Sequence, residues 1–501
     1  MRVLIFHGYL LHGTGSNVYN AELGAALVRA GHELHLLCQD RDPFELDWVD
    51  AAGDWDSGTL TVRERRSPVR ATVYRPDIGG LLPLYVADRY EGTEARPFPE
   101  LSDAEVDAYL EANVEAVREV VARAKPDVAL ANHLVMGPAI LARALGDVPY
   151  AVKIHGSALE YVVKPYPRFR PYAVEGLAKA RGVLVGSRHT AESLWAEMDD
   201  PSLPGRTKLG PPGVDVGRFA PRSREAAWAG LEALRSRLVS MAPEAATGSS
   251  FDRDVSEAVA ALDTIEPGDR IVVFVGKLIA SKGVELLLAA WPLVLAREPR
   301  ARLIVVGFGA FRPGLERLAA QLGAGDIAGA AATRGEDGRE LPQLAAFLQG
   351  DPYGGARLDR VAFAGRLDHD ELADLLPAAE AMAVTSTFPE AFGMVAAEAA
   401  ACGTLPVVAN HSGLGEVART LSAAVPEPAR DWLSFEVGPD AVPQLADALS
   451  GWLAAPDDLR AATREAMVAI TRERYSWDGV ARTVIAAAQG DLAELKGPDP
   501  L

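Results

Sequence analysis

Two lysines five residues apart, Lys277 and Lys282 in "VFVGKLIASKGVELLLAAW", follow an apolar run that ends at Gly276 and precede a helical pattern that opens after Gly283. That order directs two ammonium groups and the free N–H donors of a helix start toward one point, a site for an anion and most simply a diphosphate. Two solvated loop lysines would give the same pattern. A second pair is acidic. In "FPEAFGMVAAEAA", Glu390 stands just before a helix start and Glu398 eight residues later inside the helix, around a small glycine-bearing turn. Helix-forming alanines and a carboxylate near the positive end of a helix dipole explain both without a ligand. His155 and Gly156 in "VKIHGSALEY" close a strand at its carboxyl end, where open α/β sheets place ligand groups. The ring can hydrogen-bond a substrate hydroxyl or satisfy a nearby backbone group.

Weaker signals flank these. "GTGSN" brings Gly13 and Gly15 into a turn after the first strand, followed by Ser16 and Asn17. Val18 stands where a dinucleotide fingerprint has its third glycine, and a tight turn is explanation enough. Asp40 and Asp42 in "CQDRDP" come nearest to a ribose or metal contact, with a solvated loop as the alternative.

Positioning these groups requires strands that end where they stand. The first part of the chain supplies "RVLIFH", "HELHLLC", "PDVALANH", "PYAVKIHG" and "RGVLVGS", separated by helical patterns such as "VYNAELGAALVRAG" and "TAESLWAEM". A second series follows: "RIVVFVG", "ARLIVVG", "RVAFAG", "AMAVTS" and "LPVVAN". Strands alternating with helices predict parallel sheets wound on both faces. "PPGVDVGRFAP" reads as the connector between the two series. The expected division is an N-terminal Rossmann-like domain over 1–215 and a C-terminal one over 216–470. Insertions fall near 222–268, helical, acidic and poorly patterned, and near 323–357. Residues 471–501 hold a last helix that crosses back to the first domain. The two halves are expected to face a cleft, where ligands usually bind.

The chain of 501 residues is too long for one core, and its 49% hydrophobic and 24% charged composition is that of a globular protein. A net charge of −19 argues against a nucleic-acid partner. Two cysteines, Cys38 and Cys402, make no disulfide framework and suit a reducing compartment. "MRVLIFHGYLL" is broken by His7 and Gly8 and reads as a buried strand, not a signal peptide. With no uninterrupted apolar run of spanning length, a cytoplasmic location is expected.

In their order, "GHELHLL", the His155–Gly156 pair, "VGSRHTAESL", "PPGVDVGRFAP", "GKLIASKG", "VVGFGAFRPGLERL", "VAFAGRLDHDELADLL", "TSTFPEAFGMVAAEAAACG", "SGLGEV" and "YSWDGVA" resemble the retaining GT-B glycosyltransferases of family four. The resemblance implies transfer of a hexose from a UDP-, GDP- or ADP-linked sugar to a hydroxyl, with retention, front-face attack, no cofactor and no metal. It implies that Glu390 holds the sugar's hydroxyls and Glu398 the ribose. The N–H groups of Phe392, Gly393 and Met394, with Val395 beside them, face the sugar and diphosphate. Lys277 and Lys282 neutralise the diphosphate, and His155 steadies the sugar. Gly276, Gly307, Arg366 and Leu367 complete the donor side, while Gly13, Gly15, Ser16 and Asn17 form the first loop on the acceptor side.

The chain departs from the pattern at Lys277, usually an arginine, which loses the planar fork. It departs also at Thr385, a common proline, and in "CGTLPVV", one residue longer than usual. Asp368 could pair with a guanine, but with Glu371 it also makes a D-x-x-E helix start. The locally basic "KPYPRFRPYAVEGLAKAR" could contact a phosphorylated or lipid-linked acceptor at a membrane surface. A small-molecule or saccharide acceptor is equally open. The competing activities are a sugar-nucleotide epimerase of the same architecture and a non-catalytic nucleotide-sugar-binding relative.

Overall fold

Alternation along β1 (Arg2–Phe6) sends Val3 and Ile5 to one face of a sheet and Leu4 and Phe6 to the other, and all four are buried. A strand apolar on both faces needs cover on both, the condition for a doubly wound sheet. In the computed structural model, which describes residues 1–13, 15–86, 94–241, 253–349 and 352–498, the chain divides into two compact units. The first runs to Gly213 and resumes at Tyr475; the second begins at Val214 and ends at Arg474.

The first unit adds β2 (Glu33–Leu37), β3 (Ala51–Asp56), β4 (Thr59–Glu64) and β5 (Ala71–Arg75). A small separate pair, β6 (Leu81–Leu84) and β7 (Glu94–Pro97), comes next. Then follow β8 (Val128–Asn132), β9 (Tyr150–Ile154), β10 (Gly182–Val185) and β11 (Thr207–Leu209). Nine strands form one sheet in the order β11–β10–β9–β8–β1–β2–β5–β3–β4, parallel except for the β3–β4 hairpin. Helix α1 (Ser16–Arg29) follows the first loop. The C-terminal helix Trp477–Gln489 packs on the same unit, its Trp477, Val480, Ala481 and Val484 sharing a core with Ile5, Leu130, Ala151 and Leu184. Full burial of each large apolar side chain stabilises by about 1.5–3 kcal/mol.

The second unit holds β12 (Arg270–Val275), β13 (Ala301–Val306), β14 (Val361–Gly365), β15 (Ala381–Val384), β16 (Leu405–Ala409) and β17 (Ser434–Phe435). Their order is β14–β13–β12–β15–β16–β17, parallel throughout. Both sheets reverse winding direction beside their first strand, between β1 and β8 and between β12 and β15. Ligand crevices open at such reversals. In this unit α2 (Val284–Arg297), α3 (His369–Leu375), α4 (Met394–Cys402) and α5 (Ser412–Ser422) follow strands at that edge.

Segment 222–268 is better patterned than its composition suggests. Helix Arg224–Ser240 buries Ala227, Leu231, Leu234 and Leu238 at helical spacing. Helix Val255–Asp263 lies against β14. In the other insertion, Ile327–Ala331 and Pro342–Phe347 are short helices. Residues 242–252 and 350–351 of these two segments lie outside the described residues, as do 499–501 of the terminal segment. Among the described residues no helix is long and apolar enough to cross a membrane.

Backbones approach closely at the carboxyl edge of the second sheet. Gly307 has φ +149°, and a Cβ there would stand 1.8 Å from the Gly276 carbonyl oxygen. No side-chain adjustment relieves a clash with backbone. Gly307→Ala is therefore expected to destabilise the second unit by at least about 2 kcal/mol, lowering Tm by about 4 °C or more. Gly205→Ala, with nothing within 4 Å of its Cβ position, should melt like the parent in a parallel thermal unfolding experiment.

Candidate active site

After β12 the chain makes a short turn, Ala280–Lys282, and enters α2 through Gly283 at φ +64°. A Cβ at Gly283 would meet the Thr385 carbonyl at 2.0 Å, so glycine is what lets this loop lie on the loop after β15. Thr385, standing where the resemblance expects proline, is fully buried and donates its hydroxyl to the Lys282 carbonyl at 2.9 Å. Lys282 then reaches Glu390 in an ion pair. The same carboxylate oxygen accepts from the Ser386 hydroxyl at 2.7 Å. Around it, the Glu390 N–H donates to Ser412 Oγ at 2.9 Å and its carbonyl accepts from the Gly413 N–H at 2.9 Å. His411 donates to the Ser386 carbonyl at 2.8 Å. Burial alone would raise the Glu390 pKa, but the Lys282 charge and the hydrogen bonds from Lys282 and Ser386 hold it below the usual carboxylate range.

Helix α4 begins beside this cluster with Gly393 as N-cap, and among the described residues no side chain caps it. The N–H groups of its first turn, at Met394 and Val395, thus lie at an uncapped positive helix end. Phe392 is buried, and Gly393 has φ +128° with a Cβ position 2.5 Å from Leu414. Glu398 is also on α4 but has a different partner. Its buried carboxylate is 2.8 Å from His369 Nε2, and the His369 ring packs on Phe219 with centroids 4.9 Å apart. The two glutamates therefore serve two separate contacts.

Gly276 and Gly307 meet at the ends of β12 and β13, with the Gly276 N–H donating to the Val306 carbonyl at 3.1 Å. Lys277 follows on the same loop, half-buried. Leu367 is buried, and Arg366 donates to Asp368 at 2.6 Å. Asp368 is the N-cap of α3, closed by a capping box with Glu371 and held further by Arg253 at 3.1 Å. The helix-start reading of that aspartate is the one the structure displays.

In the first unit, His155 follows β9 and its Nε2 lies 2.8 Å from Asn132 Oδ1. Its ring lies 4.9 Å from that of His133 and 5.0 Å from that of Tyr19. Burial, with His133, Lys153 and His7 nearby, pushes its pKa well below the usual histidine value. Gly13 has φ +103°, and Gly15, at φ +56°, is the N-cap of α1. The Ser16 carbonyl accepts from Asn20 at 2.8 Å, and Asn17 donates to the His12 carbonyl at 2.8 Å. Asp40 holds this loop through the Leu11 N–H at 2.9 Å and His12 at 3.0 Å, a structural use in place of a metal or ribose contact. In the basic stretch, Arg168, Arg170 and Lys164 are engaged by Asp103 at 3.0 Å, the Met198 carbonyl at 2.8 Å and Glu160 at 2.7 Å.

Several polar groups at these edges escaped the sequence reading: His369, Ser386, His411 and Ser412 in the second unit, and His7, Asn20, Asn132, His133 and Lys153 in the first. Lys153 is fully buried, donates to the Gly210 carbonyl at 2.6 Å, and is pushed down to about 7 by burial. The available signal was the polar residue closing an apolar strand, as in "RVLIFH" and "PDVALANH".

Residues 261–328 and 356–438 match the family of glycosyl transferases group 1, and residues 14–202 match the glycosyl transferase 4-like domain. Together the matches take in more than half of the chain. It belongs to the group 1 glycosyltransferases. A D-inositol 3-phosphate glycosyltransferase of Actinosynnema mirum is 29% identical over 86% of this chain and 89% of its own. An uncharacterized glycosyltransferase of Methanocaldococcus jannaschii is 27% identical over 44% of this chain. A D-inositol 3-phosphate glycosyltransferase of Rhodococcus opacus is 34% identical over 34% of this chain. The alignment spans 45% of the Methanocaldococcus relative and 31% of the Rhodococcus one, less than half of each. Among solved structures, sucrose-phosphate synthase from Thermosynechococcus elongatus superposes with TM-score 0.59 at 20% identity, covering 98% of this chain and 99% of its own. Anabaena HepE in complex with UDP and glucose superposes with TM-score 0.57 at 16% identity, with the same coverage of both chains. These likenesses are of fold, and the fold is GT-B. The gap between the two matched segments of this glycosyltransferase, 329–355, falls within the 323–357 insertion.

Because the folded pKa of Glu390 is depressed, its contribution to stability is complete above the ordinary carboxylate value, about 4.3. It is lost as pH falls through the lower folded value. Glu390→Gln is expected to flatten that acid limb in a series of thermal melts taken from neutral pH downward. An unchanged limb would show that the carboxylate is not held by Lys282.

Proposed function

We propose that this glycosyltransferase moves a hexosyl group, with retention of anomeric configuration, from a nucleoside-diphosphate sugar to an acceptor hydroxyl. The observation that carries the reading is the Lys282–Glu390–Ser386 cluster beside the uncapped start of α4, at the winding reversal of the second sheet. An ammonium and uncapped N–H donors suit a diphosphate, while a carboxylate held ionised suits sugar hydroxyls, to which it can only accept. Lys282 has three donors, so an incoming phosphoryl oxygen can share it with Glu390. That the Anabaena relative was solved with UDP and glucose supports a nucleotide-sugar donor.

In the proposed reaction the bond from the anomeric carbon to the phosphate oxygen breaks and a bond to the acceptor oxygen forms on the same face. The departing phosphate oxygen takes the acceptor's proton. Charge grows on the diphosphate as its bond to the sugar breaks, so Lys282 and Lys277 stabilise the transition state more than the bound substrate. Two lysines supply that charge in the proposed scheme, which uses no metal. His155 steadies the sugar, Glu398 takes the ribose hydroxyls in exchange for His369, and the loop at Gly13 and Gly15 lies on the acceptor side.

The test is nucleotide release from a panel of UDP-, GDP- and ADP-hexoses, alone and with glycerate, sugar phosphates or inositol phosphate, followed by NMR of the product's anomeric proton. Release from one donor, accelerated by one acceptor and giving a product of unchanged anomeric configuration, is expected. An inverted product would overturn retention, and an isomerised sugar formed without acceptor would identify an epimerase. Lys282→Ala and Glu390→Ala are each expected to lower kcat by about 100-fold or more, the scale of losing one charge-stabilising contact. Near-normal turnover in both would sink the assignment.

A further inference from the structure

Polar side chains from three neighbouring elements of the first unit form a continuous relay beneath His155, and backbone carbonyls fix the direction of each link. Asn132, at the end of β8, donates Nδ2–H to the Phe6 carbonyl at 3.2 Å and to Asn20 Oδ1 at 2.8 Å. Since a carbonyl only accepts, the amide nitrogen of Asn132 must face Phe6 and its Oδ1 must face His155. Asn20, on α1, donates to the Ser16 carbonyl at 2.8 Å and to His7 Nδ1 at 3.0 Å. His7 Nε2 lies 3.0 Å from both the Leu10 carbonyl and Asn17 Oδ1. Asn17 is oriented in turn by its donation to the His12 carbonyl at 2.8 Å. Nε2 of His7 therefore carries the proton, Nδ1 is bare, and Asn20 can only donate to it. Four carbonyls, those of Phe6, Ser16, Leu10 and His12, leave one consistent assignment. It ends at Asn132 Oδ1, an acceptor 2.8 Å from His155 Nε2.

We propose that Asn132 and Asn20 are positioning residues that lock His155 in its Nε2–H tautomer, so that Nδ1 is a bare acceptor that takes a ligand hydroxyl and rejects a phosphoryl or carboxylate oxygen. The proposal rests on the reading of His155 as the group that meets the sugar. Among the described residues no hydrogen bond to His155 Nδ1 is formed, and the ring is half-buried. The surroundings oppose a second proton. The groups facing the ring are His133, whose own two nitrogens have no hydrogen-bond partner among the described residues, Tyr19 and the buried Lys153 and His7. None of them is an anion. An imidazole in this setting stays neutral and selects for hydroxyl donors, which an uncharged sugar has and a phosphoryl group fully ionised at neutral pH lacks.

The experiment is nitrogen NMR of the full chain carrying 15N-labelled histidine at pH 7. The chain has nine histidines, and the His155 signals are assigned from their loss in His155→Ala. The expected spectrum shows a protonated Nε2 and an unprotonated Nδ1. Added glucose or mannose should move the Nδ1 resonance, and inorganic sulfate at the same concentration, a tetrahedral oxyanion with no hydroxyl donor at pH 7, should not. Asn132→Asp places a carboxylate against Nε2 and breaks the link to Asn20. It should raise the His155 pKa by about one unit or more and shift the acid limb of the activity profile upward with it, with KM for the donor sugar up about tenfold. A purely structural role for Asn132 would change stability and leave that limb in place. A protonated Nδ1 in the parent protein, or a sulfate-induced shift as large as that from sugar, would overturn the proposal. If every nucleotide sugar fails to turn over while the tautomer is found as stated, the transferase reading falls and the lock stands.

Discussion

The contact on which the second unit's edge depends is the approach of two loops that leave neighbouring strands, one after β12 and one after β15. Gly283 permits it, Thr385 ties it, and Lys282 and Glu390 close it with opposite charges. Without the approach, the lysine and the glutamate would be separate surface charges, and exposed pairs contribute little. With it, each side chain is held half-buried, where its charge is less screened and the other compensates it. Ser386, Ser412 and His411 then engage the Glu390 carboxylate, the Glu390 N–H and the Ser386 carbonyl in turn. A partly buried ion pair whose carboxylate is also held by a neighbouring hydroxyl is oriented as well as tolerated, and electrostatic preorganisation requires both.

The first unit solves a different problem with the same edge. Its strand ends carry histidines and asparagines where the second unit carries a lysine and a glutamate, and burial keeps those rings neutral. One edge therefore offers charge and the other offers directed, uncharged hydrogen-bonding groups.

Much of the fold could be read in advance because a strand buried on both faces writes itself as an unbroken apolar run. All ten runs named from the sequence became strands. The β3–β5 region stayed hidden. "TLTVRE", the edge strand, alternates polar with apolar, and "AAGDWD" has no large apolar residue except Trp55, so neither stands out from loop. In the candidate site, the placement of a chemically capable residue was legible where it stands within two residues of a strand end, as with Lys277 and His155. Pairings between distant residues were not. Nothing local joins Lys282 to Glu390 or His369 to Glu398, since sheet order and close backbone approach create those contacts. Asn20 was hidden for another reason: inside an amphipathic helix, a buried asparagine has the same local signature as a solvated one.

The C-terminal helix has a consequence for how the molecule is made. Trp477, Val480 and Val484 cover the face of the first sheet that carries Ile5, Leu130 and Leu184, yet more than 450 residues separate Ile5 from Trp477. A chain emerging from the ribosome presents that sheet long before its cover exists, and must finish the whole second unit in between. Until the last helix arrives, the nascent first unit carries an open apolar face. Chaperone dependence and sensitivity to premature termination should both concentrate in that interval.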